Sequence, residues 1–205
     1  MSKIYLISPP KIEIDQFKVD LDQLLSSGLV AVFQLRLKDY DLSEIKSIAQ
    51  ELKPICQKNN CPIILNDHGD IAIELGLDGA HLGVDDGKIA DLRSKAPKNF
   101  IIGASCYDSK HLAMIAGEEG SDYVSFGAFY PSATKQSRGK PTIEIIKWCD
   151  ELMNLPIVAI GGIDDTNCQQ LVNAGVDFIA VISYIWSSDN KLAALEKLHS
   201  AIGAC

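Results

Sequence analysis

Residues 62–83 read PIILNDHGDIAIELGLDGAHLG, two short apolar runs (62–66 and 78–82) with a helix start expected near Gly69 between them. The same kind of run recurs at 3–8, 30–35, 99–104, 121–126, 156–160 and 176–182, which makes eight candidate strands. Between them lie segments of helical period, such as DLSEIKSIAQELKPICQ from Asp41, where Leu42, Ile45, Ile48, Ala49 and Leu52 form one apolar face. Strand and helix in strict alternation predict a parallel sheet. Runs rich in Val, Ile and Leu with little alternation are those of strands covered on both faces. Eight of them favour a closed (β/α)8 TIM barrel over an open sheet, so the expectation is an α/β chain forming one catalytic domain over residues 1–205. No linker, low-complexity segment or repeat beyond the βα unit interrupts it.

Composition narrows the function classes. At 205 residues and 47% hydrophobic side chains, the chain is long enough to bury one large core. A formal charge of −8 with no Lys/Arg run argues against a nucleic-acid partner. Cysteines at 56, 61, 106, 149, 168 and 205 include no CxxC and no Cys/His cluster of zinc spacing. The opening MSKIYLISPPK has too short an apolar run for a signal peptide, and no window approaches the length of a membrane span. A reduced, cytoplasmic protein with free thiols and no membrane partner is the expectation. No His neighbours a Cys in sequence, so a cysteine nucleophile is not expected.

In such a barrel the chemistry sits at the carboxyl ends of the strands, and polar residues there call for a functional reading. The second candidate strand ends FQLRLKDYD (33–41), placing Gln34, Arg36 and Lys38 at the rim. The third ends in Asn66 and Asp67, the fourth runs into GVDD with Asp85 and Asp86, and the fifth leads to Ser105. After the sixth comes FYPSATKQSRGKP, with Ser132, Thr134 and Lys135 in a stretch whose Gly, Pro and small polar residues suggest a lid. The seventh ends in Gly161-Gly162 and the eighth in Ile182 and Ser183. Asp67 alone could merely cap the helix that follows it. With Asp86 one strand away, about 4.8 Å in a parallel sheet, the two carboxylates can share one cation, and an all-oxygen set without His or Cys suits Mg2+. Arg36 offers a planar fork for phosphate oxygens, and Lys38 and Lys135 offer point charges. The Gly-Gly turn beside Ile182 and Ser183 points to a monophosphate site of backbone N–H groups, although a tight turn needs Gly in any case.

The motifs FQLRLKD, LNDHGDIAIELGLDGAHLG, GVDD, GASC, SDYVSFGAFYPSATK, PIVAIGGI and GVDFIAVIS, in this order from residue 5 to about 185, resemble the thiamine-phosphate synthase (thiamine-phosphate pyrophosphorylase) family. The resemblance implies a magnesium-dependent transfer of the 4-amino-2-methylpyrimidin-5-ylmethyl group from its diphosphate to 4-methyl-5-(2-phosphoethyl)thiazole or its carboxylate form. It implies a dissociative, cation-like route without a protein nucleophile, in keeping with a site expected to lack any Ser/His or Cys/His pair. By position, Asp67 and Asp86 would hold magnesium, and Arg36, Lys38, Asn66 and Lys135 would contact diphosphate. Gln34 and Ser105 would bond the pyrimidine, Tyr5 would line its pocket, and Ser132, Thr134, Gly162, Ile182 and Ser183 would lie toward the thiazole phosphate.

The chain departs from the family pattern at His68, where Arg is frequent, at Val84 for Gln, at Tyr107 for His and at Ala128 for Pro. None replaces a proposed ligand. Two rivals share parts of this pattern: a thiazole tautomerase-like isomerase of the same fold, which would leave Lys38, Lys135 and the Asp pair idle, and a non-catalytic sensor of a phosphate ligand.

Overall fold

The structure is a computed structural model that describes residues 2–131 and 138–203. Strands β1 (Lys3–Ile7), β2 (Val30–Leu35), β3 (Ile63–Asn66), β4 (Gly79–Leu82), β5 (Ile101–Tyr107), β6 (Tyr123–Gly127), β7 (Ile157–Ile160) and β8 (Phe178–Val181) close a barrel in sequence order. Every neighbouring pair is parallel, including β1 with β8. The eight expected strands are all present, with ends that differ by a few residues from the expected bounds.

Helices α1 (Ile14–Ser26), α2 (Leu42–Lys58), α3 (Gly69–Glu74), α4 (Ile89–Lys95), α5 (Lys110–Glu118), α6 (Ile143–Leu152) and α7 (Gln169–Val172) return the chain from one strand to the next. The short α8 (Ser183–Trp186) and α9 (Lys191–Gly203) follow β8. α2 starts with a capping box, Asp41 accepting from the Glu44 N–H while Glu44 reaches back to the Asp41 N–H, which satisfies two otherwise unpaired donors. Its buried stripe is Ile45, Ala49, Leu52 and Cys56. Leu42, expected on that face, is 53% exposed because the helix begins at the rim, beyond the reach of the sheet. α9 closes the barrel, burying Leu195, Leu198 and Ile202.

Two layers of core follow from strand alternation. Ile4, Leu6, Phe33, Leu35, Ile63, Leu65, Ile102, Phe126 and Ile179 point outward into the shell beneath the helices. Tyr5, Ile7, Tyr123, Val158 and Ala180 point inward, and Gln34, Asn66, His81, Ser105 and Ser125 share the inward phase of their strands. The middle of this barrel is therefore polar where most such barrels are filled with aliphatic side chains. Glycine makes the room: a Cβ on Gly103 would collide with the ring and hydroxyl of Tyr123.

Candidate active site

A cavity of about 300 Å3 opens at the carboxyl rim of the strands. Tyr5, Gln34, Arg36, Lys38, Asn66, Asp67, Asp86, Ser105, Gly162, Ile182 and Ser183 all line it, so the described residues singled out from the sequence converge on one space. Ser132, Thr134, Lys135 and most of the expected lid lie outside the described residues.

On the arc formed by β2, β3 and β4, the strand ends carry opposite charges. The Lys38 ammonium lies 3.3 Å from the Asp67 carboxylate. Asp67 adopts φ +68°, a left-handed conformation that Asp tolerates better than most residues, and its N–H donates to the His81 carbonyl. It does not cap α3; His68 occupies that position and makes no side-chain capping bond. Asp86 accepts from the Gly83 N–H at 2.8 Å, which pins its carboxylate inside its own turn. Burial, and then the neighbouring Asp86, raise the Asp67 carboxyl above its usual range, and Lys38 only partly opposes them. An Asp67 carboxyl held above its usual range beside a second carboxylate, with oxygen donors alone and open space next to it, fits a hard divalent cation that keeps waters and substrate oxygens as its other ligands. Among the described residues no group of three or more His, Cys, Asp or Glu gathers as a metal cage.

This arrangement sets a sign. Asp67→Asn removes a charge that burial and Asp86 disfavour and keeps a residue type suited to the left-handed conformation. The variant is expected to melt no earlier than the parent in metal-free buffer, while magnesium ceases to raise its melting temperature. A calorimetric scan with and without the metal checks this; early melting with the metal response intact would assign Asp67 a purely structural role.

Arg36 follows Gln34 on the inward phase of β2, and its backbone is tied to β1 by Ser8, whose hydroxyl accepts from the Arg36 N–H at 2.8 Å. Burial lowers the guanidinium from its usual range, with Asp67 and Asp39 opposing. It remains charged, as arginine does in proteins. A further cation, Arg138, escaped the sequence reading: it lines the cavity, pairs with Asp85 and sits 5.9 Å over the Tyr107 ring.

On the opposite arc, Gly161 (φ +105°) and Gly162 (φ +62°) turn the chain after β7. The backbone N–H groups of Phe129 and Tyr130 donate to Ile160 and Gly161, extending the sheet past the rim. A Cβ on Gly162 would strike the Pro131 carbonyl, so only glycine fits there.

The floor holds what the sequence reading missed. His81 is 8% exposed and its Nε2 lies 2.9 Å from the Ser105 hydroxyl. The expectation of a site without a Ser/His pair is corrected: strands β4 and β5 bring together residues that are 24 apart in sequence. His81 Nδ1 meets Tyr123 Oη at 2.9 Å, and that hydroxyl meets Tyr5 Oη at 2.7 Å. A phenol donating to Nδ1 leaves the imidazole proton on Nε2, where it faces Ser105 and cannot accept that hydroxyl's proton. In that tautomer the pair lacks the polarity of an activated nucleophile. Thiol chemistry is equally remote, since burial pushes Cys106, the neighbour of Ser105, up to about 12.

Among the described residues no helix is long and apolar enough to cross a membrane. A family model described as thiamine monophosphate synthase matches residues 4–185. The thiamine-phosphate synthase of Rhodospirillum centenum is 43% identical over 185 residues, covering 90% of this chain and 89% of its own. That of Erythrobacter litoralis is 41% identical over 196 residues, covering 94% and 92%. A solved thiamine phosphate pyrophosphorylase from Pyrococcus furiosus superposes with a TM-score of 0.84 at 30% identity, over 98% of this chain and 95% of that one. An orotidine 5'-phosphate decarboxylase from Pyrococcus horikoshii, at TM-score 0.72 and 14% identity, shares the fold alone. With one barrel, one charged rim and one family spanning nearly its whole length, the chain belongs to the thiamine monophosphate synthase family.

Proposed function

We propose that the chain is a thiamine-phosphate synthase, a transferase joining 4-amino-2-methyl-5-hydroxymethylpyrimidine diphosphate to the ring nitrogen of 4-methyl-5-(2-phosphoethyl)thiazole. The observation that carries the reading is a single cavity with a charged arc on one side and a glycine turn on the other. Cations and paired carboxylates sit at the ends of β2, β3 and β4, and a glycine turn sits across from them after β7. A diphosphate and a monophosphate on separate substrates call for two such sites, with the reacting carbon and nitrogen held between them.

In this reading the methylene carbon–oxygen bond breaks with its electron pair leaving on diphosphate, and the thiazole nitrogen supplies the pair for the new carbon–nitrogen bond. The aminopyrimidine spreads the intervening positive charge, so no protein nucleophile is needed. Arg36, Lys38 and Lys135 hold the departing diphosphate, Asn66 donates to it, and Gln34 and Ser105 orient the base above Tyr5. Asp67 and Asp86 would hold magnesium, which would supply a Lewis acid to the departing diphosphate. Ser132, Thr134, Gly162, Ile182 and Ser183 receive the thiazole phosphate. A cytoplasmic location suits the buried, unoxidised thiols of Cys56, Cys61, Cys106 and Cys149.

The test incubates the purified protein with both substrates, with and without magnesium, and oxidises any thiamine phosphate to fluorescent thiochrome. Magnesium-dependent product with equal diphosphate release is expected. Binding of the thiazole phosphate without product would overturn the transferase reading in favour of a tautomerase or a sensor.

A further inference from the structure

We propose that a buried hydrogen-bond chain running Gln34, Tyr5, Tyr123, His81, Ser105 sets the direction of hydrogen bonding at both its ends and so selects an aminopyrimidine over its oxo counterpart. The inference rests on the base site of the proposed function and adds the residues that give the site its polarity.

The chain crosses the barrel interior from β2 through β1, β6 and β4 to β5. Gln34 Nε2 donates to Tyr5 Oη at 3.0 Å, the two phenol oxygens are 2.7 Å apart, and Tyr123 Oη reaches His81 Nδ1 at 2.9 Å. His81 Nε2 then meets Ser105 Oγ at 2.9 Å. The Gln34 amide also interacts with the Tyr123 hydroxyl, and an NH2 can serve two phenol oxygens at once. Once Tyr5 accepts from Gln34, its own proton goes to Tyr123. Tyr123 in turn donates to Nδ1, and the imidazole carries its proton on Nε2 toward Ser105. This is the arrangement in which every phenol proton is used within the chain, with the Gln34 amide setting its direction.

Two consequences face the cavity. The Gln34 amide spends its NH2 on the phenols and presents its carbonyl oxygen. Ser105 accepts from His81 and presents its hydroxyl hydrogen. An acceptor at one wall and a donor at the other complement an exocyclic amine and a ring nitrogen. A 4-oxo-pyrimidine places an acceptor where the amine placed a donor, against a buried carbonyl that then lacks a partner.

Burial raises both Tyr5 and Tyr123 above the ordinary phenol range, so both keep their protons. Their rings are fixed by packing: His81 stacks on Tyr123 with centroids 5.5 Å apart, and Tyr5 lies edge-on to Phe178. Tyr123 is therefore a positioning residue, acting on the base through His81 and Ser105, and Tyr5, besides lining the base pocket, acts on it through Gln34.

Tyr123→Phe and Tyr5→Phe keep the rings and delete one link each. The experiment measures binding of the 4-amino pyrimidine diphosphate and of its 4-oxo analogue by calorimetry, with kcat and both KM values taken alongside. The parent should favour the amino compound by about 100-fold or more, the scale set by leaving one buried polar group unpaired. In each variant that ratio should fall about tenfold or more, with the thiazole phosphate KM unchanged. A parent-like ratio in a folded variant overturns the proposal, and if Tyr123→Phe fails to fold, Tyr5→Phe alone decides. A parent that prefers the amino compound but makes no thiamine phosphate would sink the synthase reading and leave this one standing. A parent with no preference overturns this one whatever its turnover.

Discussion

Arg36→Ala is expected to lower kcat/KM by about 30- to 1000-fold, ~2–4 kcal/mol, the scale of losing one preorganised group that stabilises charge developing in the transition state. The expectation follows from position. Arg36 shares the inward phase of β2 with Gln34, is drawn into the cavity wall far enough for burial to lower its pKa, and is held by the Ser8 bond to its backbone N–H. A guanidinium placed in advance needs little reorganisation when diphosphate departs. Arg36→Lys keeps the charge and loses the fork, so its defect should fall between those of parent and alanine. Steady-state assays with each substrate varied would separate the loss, which should concentrate in kcat and in the pyrimidine diphosphate KM. A loss smaller than about threefold would remove Arg36 from the diphosphate.

Gly103→Ala should be among the damaging single-carbon changes in the barrel. Its new methyl would occupy the space of the Tyr123 ring, on a strand whose backbone is held between β4 and β6. Overpacking of this kind costs about 1–3 kcal/mol in stability. If the ring swings away to accommodate the methyl, the hydroxyl partners of Tyr5 and His81 go with it, each a buried polar group worth ~1–3 kcal/mol when stranded. Early melting and a large rise in the pyrimidine diphosphate KM are therefore expected together. Gly103→Ala combined with Tyr123→Leu should melt later than the sum of the separate changes requires, because the two sites compete for one volume. Additive melting losses would mean that the tyrosine ring is not the obstacle.

Much of the barrel and its rim is legible in the amino-acid sequence itself. Runs such as VAVFQL and PIVAI declare strands because both of their faces are covered, and Asn66-Asp67 and Gly161-Gly162 stand out because they break those runs at the rim. His81, Tyr123 and Ser125 are hidden for the opposite reason: they lie within the runs. Strands of four or five residues give only two or three inward positions, too few to distinguish a polar interior from scattered polar substitutions. The Ser105–His81 pair was invisible for a second reason, since its proximity depends on the register His81↔Gly103 between β4 and β5. Leu42 misled because helical period marks a face without marking where the sheet beneath it ends. Arg138 reads as one more loop cation in the sequence, and only the fold shows Asp85 and Tyr107 holding it at the cavity wall.

The seam between β1 and β8 bears on how the molecule comes into being. Lys3 donates to the Asp177 carbonyl, Ser2 to that of Val176, and the Trp186 indole to that of Ile7. On a ribosome, which releases chains from the amino end, β1 must wait with one edge unsatisfied until β8 has emerged. Closing that gap is the longest-range event in the fold, the kind that slows folding and exposes a sticky strand edge meanwhile. The sites on β2 to β5 are translated early, but the ring that holds them in mutual register closes only when its last strand arrives.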